Sequence, residues 1–231
     1  MNFVIPPAPQ ASVAVFGTED RFPVRRIFCV GRNYAAHARE MGKDPDRDPP
    51  FFFTKPADAV VDDGETVAYP PETENFHYEA ELVVAIGKAG VNIAEADTLD
   101  HVWGYAIGND LTRRDLQLDA REKGRPWDWG KAFDRSAVIG PVYPVAKTGH
   151  IDKGQIKLTV NGETKQDSDL SKLIWSVPEI ISILSHSIGL QPGDLIMTGT
   201  PEGVGAMVPS DVCVVSIAGL GDLTTTIGER A

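Results

Sequence analysis

The stretch EAELVVAIG, residues 79 to 87, limits the fold more than any other part of the chain. At a period of two, Glu79, Glu81, Val83 and Ala85 share one face, and Ala80, Leu82, Val84 and Ile86 share the other. Both faces turn apolar after Glu81, so the segment predicts a strand covered on both sides inside a sheet. Its two carboxylates lie only ~7 Å apart, two residues along a strand. Either they occupy a solvated strand edge or a cation lies between them, because a partly buried like-charged pair is expensive unless coordinated. All-oxygen ligation favours a hard cation (magnesium, calcium or manganese) over zinc. His77, on the same face, is an alternative ligand.

Other segments read as short strands: residues 27–30 (IFCV), 51–55 (FFFTK), 102–110 (VWGYAIGND), 194–200 (DLIMTGT), and the later VCVVSIAG and LTTTIG. VNGE within 155–166 is a strong hairpin signal. Helices are fewer. One follows Asn33 as N-cap and stops at Gly42, one spans about 113–123 between Thr112/Asp115 and Gly124, and one spans 176–189 with a Ser176/Glu179 capping box. The strands do not alternate with helices as a doubly wound fold requires. The expectation is a strand-rich α+β domain over 26–231, preceded by a Pro-rich arm at 1–25.

The formal charge of −11 argues against nucleic acid or an anionic membrane as partner. An acidic chain that binds a small anion needs a local positive centre, which a metal ion supplies. Cys29 and Cys213 lie in apolar strand-like runs without C-x-x-C spacing and read as reduced core residues. The N-terminus lacks a signal-peptide pattern, and no apolar run reaches the ~20 residues of a membrane span, so a cytoplasmic location is expected.

Asp110 ends an uncharged run and is either a third carboxylate ligand or an ordinary turn residue. His37 and Glu40, at i and i+3 on one helix face, are either a base with its orienting carboxylate or a surface pair. Lys131 follows RPWDWG, whose two tryptophans either close a loop over a site or anchor a turn. TGTPEGVG, residues 198–205, lacks the lysine of a P-loop, but its backbone N–H groups suit a carboxylate. His101, His150 and His186 have no metal-ligand spacing and read as structural. No G-x-S-x-G and no partnered cysteine offers a covalent nucleophile.

In order along the chain, GRNYAAHAREMG, FFFTKP, HYEAELVVAIG, GYAIGNDLTRRDLQ, the Trp-Gly-Lys segment and GDLIMTGTPEGVG resemble the fumarylacetoacetate hydrolase superfamily. The resemblance runs from about Arg26 to the C-terminus. It implies a mixed β-roll acting as a homodimer around Mg2+ or Mn2+, with a small dioxo acid as substrate. Matched residue by residue, Glu79, Glu81 and Asp110 take the places of the metal ligands. His37, Glu40 and Lys131 take those of the catalytic groups, and Arg114, Gln117 and Thr200 those of the substrate contacts. The 25 residues before the match are too few for the additional N-terminal domain of the family's namesake. The chain therefore resembles the short branch of acylpyruvate hydrolases, oxaloacetate decarboxylases and dienoic-diacid isomerases. Its Pro-rich arm and WDWGKAFD segment are similar to fumarylpyruvate and maleylpyruvate hydrolases of gentisate breakdown. The expected reaction is C–C hydrolysis of a 2,4-dioxo acid.

Overall fold

A computed structural model describes residues 2–40 and 48–231. Its largest sheet runs in the order Phe51–Lys55, Arg26–Gly31, Asp194–Met197, Ala80–Ile86, Val102–Asp110, Ala137–Ile139, Val60–Val61, with Tyr143–Pro144 pairing off this path. Asp194–Met197 runs parallel to Arg26–Gly31 and antiparallel to Ala80–Ile86, so the sheet is mixed. A five-stranded sheet packs beside it, ordered Glu163–Asp169, Gln155–Val160, Val212–Ile217, Gly221–Arg230, Thr66–Tyr69. The strand-rich α+β roll stands as expected.

Every residue from Ala80 to Ile86 is buried. Ala80, Leu82, Val84 and Ile86 join Ile156, Leu158, Val215 and Leu223 of the second sheet in one apolar cluster. Val83 and Ala85 join Ile27, Cys29, Ala106 and Met197 in another, on the opposite face. Strands Ser12–Ala14 and Arg21–Pro23, within the expected arm, pair with each other and bury Val13 and Phe22 in that second cluster. The glutamate strand is thus wrapped on both faces, and an acid can survive only at its beginning.

Two local signals appear as read. Gln155–Val160 and Glu163–Asp169 form the hairpin, with Asn161 at φ +51° and Gly162 at φ +81°. These are the positive dihedrals that a two-residue type I′ turn demands. Helix Val177–Ser187 carries the reciprocal Ser176–Glu179 capping box. Helix Arg114–Glu122 is followed by Gly124 at φ +62°, a left-handed stop.

Two details differ. Asn33 does not cap helix Ala35–Glu40: its amide donates to the carbonyls of Trp175 and Thr198, and its oxygen accepts from Trp175 N–H. A buried amide with three partners already in reach gains more from cross-linking two loops than from one helix donor. Helix Arg114–Glu122 likewise begins without a side-chain cap. Thr112 instead donates to the carbonyl of Asp110, and Asp115 accepts from Thr73 and Glu74. Gly42, the expected stop of the first helix, lies outside the described residues.

Candidate metal centre and active site

The register of the central strands places the acids. Glu81 stands opposite Gly108 and Ala80 opposite Asn109, while Asp110 N–H donates to Glu79 O at 2.9 Å. Glu79, Glu81 and Asp110 are all buried, and each offers an oxygen within 4.8 Å of the others. The solvated-edge reading of the glutamate pair is therefore excluded. His77 does not join them. It lies against Asn75 at 2.7 Å, and burial, followed by the Arg114 charge, lowers its pKa to about 4.

Three cations balance the three acids. Lys131 Nζ donates to Glu79 Oε2 at 2.7 Å and to Asp110 Oδ2 at 2.8 Å. Arg114 pairs with Glu79 Oε1 and donates to Gln117 Oε1, the latter at 2.6 Å. Lys55, buried at the end of the Phe51–Lys55 strand, puts Nζ 2.8 Å from Asp110 Oδ1. Sequence reasoning missed this lysine. Its only signal was a charge closing an aromatic strand, which reads equally well as a solvated strand end.

The Lys55–Asp110 contact is one of charge more than of aligned hydrogen bonding. Lys55 also donates to the carbonyls of Leu111 and Lys131, at 3.1 and 2.6 Å, and among the described residues Asp110 Oδ1 is left without a well-directed donor. Among the described residues Glu81 receives one backbone donor, Gly199 N–H at 2.7 Å. Burial, followed by the neighbouring Asp110 and Glu79 charges, pushes its carboxyl well above the ordinary range. Glu79 moves the other way: burial opposes its charge, but Lys131 and Arg114 outweigh it. A buried acceptor short of a donor and an acid destabilised by two acid neighbours are both relieved by a cation. The hard oxygen set fits Mg2+ or Mn2+.

His37 reaches the same cavity from helix Ala35–Glu40, with Glu40 of the same helix paired to it. His37 is buried and lines the cavity with Glu79, Glu81, Arg114, Gln117, Lys131 and Thr200. Its Nδ1 lies 3.1 Å from Glu40 Oε2. The His37 hydrogen bond holds Glu40 below its usual pKa; burial opposes this, and Gly203 N–H, 3.2 Å away, reinforces it. An ionised Glu40 fixes the Nδ1–H tautomer, leaving Nε2 as an acceptor. The glycine-rich loop thus binds two carboxylates, Glu81 through Gly199 and Glu40 through Gly203. Thr200 is buried and accepts from Gln166 at 2.9 Å. Of the two tryptophans, Trp127 lines the cavity, while Trp129 is 77% exposed and lies outside its described lining.

The described residues bring together all nine positions singled out in the sequence. A family model described as fumarylacetoacetate (FAA) hydrolase C-terminal matches residues 26–228. The chain belongs to this family. A fumarylpyruvate hydrolase from Ralstonia sp is 50% identical over 190 residues, covering 81% of this chain and 98% of the relative. A mitochondrial oxaloacetate tautomerase from Homo sapiens is 40% identical over 200 residues, covering 87% and 90%. The crystal structure of fumarylpyruvate hydrolase from Pseudomonas aeruginosa in complex with Mn2+ and pyruvate superposes with a TM-score of 0.97 at 55% identity, covering 99% of this chain and all of that one. This member of the family is accordingly an enzyme, and its acidic centre is suited to a divalent cation.

Proposed function

We propose that the chain hydrolyses the C–C bond of an acylpyruvate, with fumarylpyruvate or maleylpyruvate as the leading substrates, to pyruvate and a carboxylic acid. The observation that carries this reading is a cavity where Glu79 and Glu81, grouped with the buried Asp110, meet a Glu-oriented histidine. The 50%-identical relative and the pyruvate-bound structure support the choice of substrate class.

A divalent cation on Glu79, Glu81 and Asp110 supplies Lewis-acid polarisation and a template for a 2-keto acid. The protein's own groups do the rest. His37 Nε2 accepts a proton from the attacking water, and Glu40 stabilises the imidazolium that results. Lys131 spends two N–H donors on Glu79 and Asp110, and its third serves the oxyanion that develops on the attacked carbonyl. The bond between that carbonyl and the methylene breaks, and the pyruvate enolate is protonated on carbon from the His37 side. Arg114 and Gln117, locked to each other, orient the keto acid, with Thr200 as a further contact. Homodimeric assembly, a cytoplasmic location and a role in aromatic-compound breakdown such as gentisate catabolism belong to the same proposal.

The test is loss of the enolised 2,4-dioxo chromophore, coupled to pyruvate release, with Mg2+ or Mn2+ and with chelator. Chelator-sensitive loss with stoichiometric pyruvate supports hydrolysis. His37→Ala should fall ~10²–10⁴-fold in kcat without unfolding, and near-full activity would remove it from water activation. The 40%-identical oxaloacetate tautomerase favours one second reading, enolate chemistry without hydrolysis. Turnover of oxaloacetate or a dienoic diacid, with none of any acylpyruvate, would establish decarboxylation or isomerisation instead.

A further inference from the structure

Thr200 faces the cavity with one of its hydrogen-bonding roles already taken. Its Oγ1 accepts from Gln166 Nε2 at 2.9 Å. Gln166 belongs to the strand Glu163–Asp169 of the second sheet and is only 1% exposed. The far side of the amide fixes its orientation. Gln166 Oε1 accepts from Ala80 N–H at 3.0 Å, a role the NH2 group cannot fill. The NH2 group therefore faces the glycine-rich loop, where it also donates to the carbonyl of Pro201 at 2.7 Å. Both of its hydrogens are spent, so the amide has none left for a ligand.

This arrangement sets the polarity of the Thr200 hydroxyl. A hydroxyl carries one hydrogen and two lone pairs. One lone pair is committed to Gln166, and among the described residues Thr200 donates its hydrogen to no protein acceptor. The Pro201 carbonyl, a neighbour that could compete for that hydrogen, is already occupied by Gln166. Thr200 is buried and lines the cavity with His37, Glu79, Arg114 and Lys131. A buried donor calls for a partner, and here the cavity's ligand is the place to find it. The same amide ties three parts of the fold together: the strand residue between Glu79 and Glu81, the loop that carries Thr200, and the second sheet.

We infer that Gln166 is a positioning residue, which holds the Thr200 hydroxyl as a donor aimed at a carboxylate oxygen of the keto acid. The inference rests on the keto-acid reading proposed above. Without Gln166 the hydroxyl is free to turn toward the loop carbonyls, and binding must then bear the cost of ordering it.

The test is a double-mutant cycle on the Kd of pyruvate for the Mn2+-loaded protein, measured by calorimetry in wild type, Thr200→Val, Gln166→Met and the pair. Valine and methionine approximate the shapes they replace and remove the hydrogen bonds. Thr200→Val should weaken pyruvate roughly 10-fold or more, the scale of a hydrogen bond to a charged group. Gln166→Met should weaken it by a similar factor beside Thr200, but by less than about threefold beside Val. Equal factors in both backgrounds would mean that Gln166 supports the fold generally, and they overturn the inference. So does a Kd within about threefold of wild type in either folded single variant.

Circular-dichroism melts establish folding. Where Gln166→Met does not fold, Gln166→Glu is read in the same cycle. It keeps the acceptor for Ala80 N–H but draws the Thr200 hydrogen to itself, so it should match Thr200→Val and add nothing to it; an equal loss in both backgrounds overturns the inference. A wild type that binds no pyruvate overturns it as well. Binding that follows the cycle, with no turnover of any acylpyruvate, supports the Gln166 role and counts against the hydrolase reading instead.

Discussion

Charge neutralisation governs the centre residue by residue. Asp110 is fully buried and leans on two lysines, one of which, Lys55, is itself buried and reaches no other carboxylate in the set. Burial lowers the Lys55 pKa, and Asp110 opposes that fall. Removing one partner of a buried pair strands the other, typically at ~3–5 kcal/mol. Lys55→Met should therefore lower the urea-unfolding free energy by ~3 kcal/mol in metal-free protein, and added Mn2+ should restore part of the loss by supplying charge at Asp110. A metal-free loss below ~0.5 kcal/mol, the range of neutral surface changes, would show that Lys131 alone suffices. The same residue marks where sequence reading stops. Lysine ending FFFTK fits a stem lying along apolar surface with its head in water, and only the fold reveals that the head points inward. Glu79 and Glu81 were legible because their own strand declares both faces buried; Lys55 had no such neighbour pattern.

Among the elements, the loop from Thr198 to Gly205 joins the two halves of the site, because its backbone donors fix Glu81 and Glu40 together. Gly199 holds φ at +99°, and a Cβ there would meet Asn33 Cβ at 2.7 Å. Asn33 cannot retreat, being tied to Trp175 and Thr198. Gly199→Ala should destabilise the fold by ~1–3 kcal/mol through backbone strain and should weaken Mn2+ binding by turning away the N–H that orients Glu81. Thermal melting with calorimetric titration checks both; lost stability with unchanged metal affinity would separate the loop from the centre. The loop's glycines were visible in the sequence, and so was their fitness for a carboxylate. Which carboxylates they bind was not. Asn33 shows the same limit: a helix-start pattern describes a local option, and partners 142 and 165 residues away decided otherwise.

For the whole molecule, local order was readable and strand order was not. The hairpin and the capping box depend on residues a few positions apart. The insertion of Asp194–Met197 between Arg26–Gly31 and Ala80–Ile86 depends on pairings across the length of the chain. That insertion brings the glycine-rich loop to the acids, so folding and cation binding are linked. The linkage has a sign. The Glu81 carboxyl is raised in the metal-free fold, so the folded chain keeps a proton that the unfolded chain releases. Metal-free stability should therefore fall as pH rises from the ordinary carboxylate range toward the raised value. Cation binding must displace that proton, so affinity should rise over the same window. At a Mn2+ concentration of 100 Kd the stabilisation is ~2.7 kcal/mol, or about 5–10 °C in Tm for a chain of this size. At fixed Mn2+ this increment should shrink as the pH is lowered from 8 to 5.5. Glu81→Gln, which keeps the shape of the side chain but loses its charge and proton, should lose most of the increment and its pH dependence. A Mn2+-induced rise in Tm that is equal in wild type and Glu81→Gln, or constant with pH, would take Glu81 out of the cation site and leave Glu79 and Asp110 to bind without it.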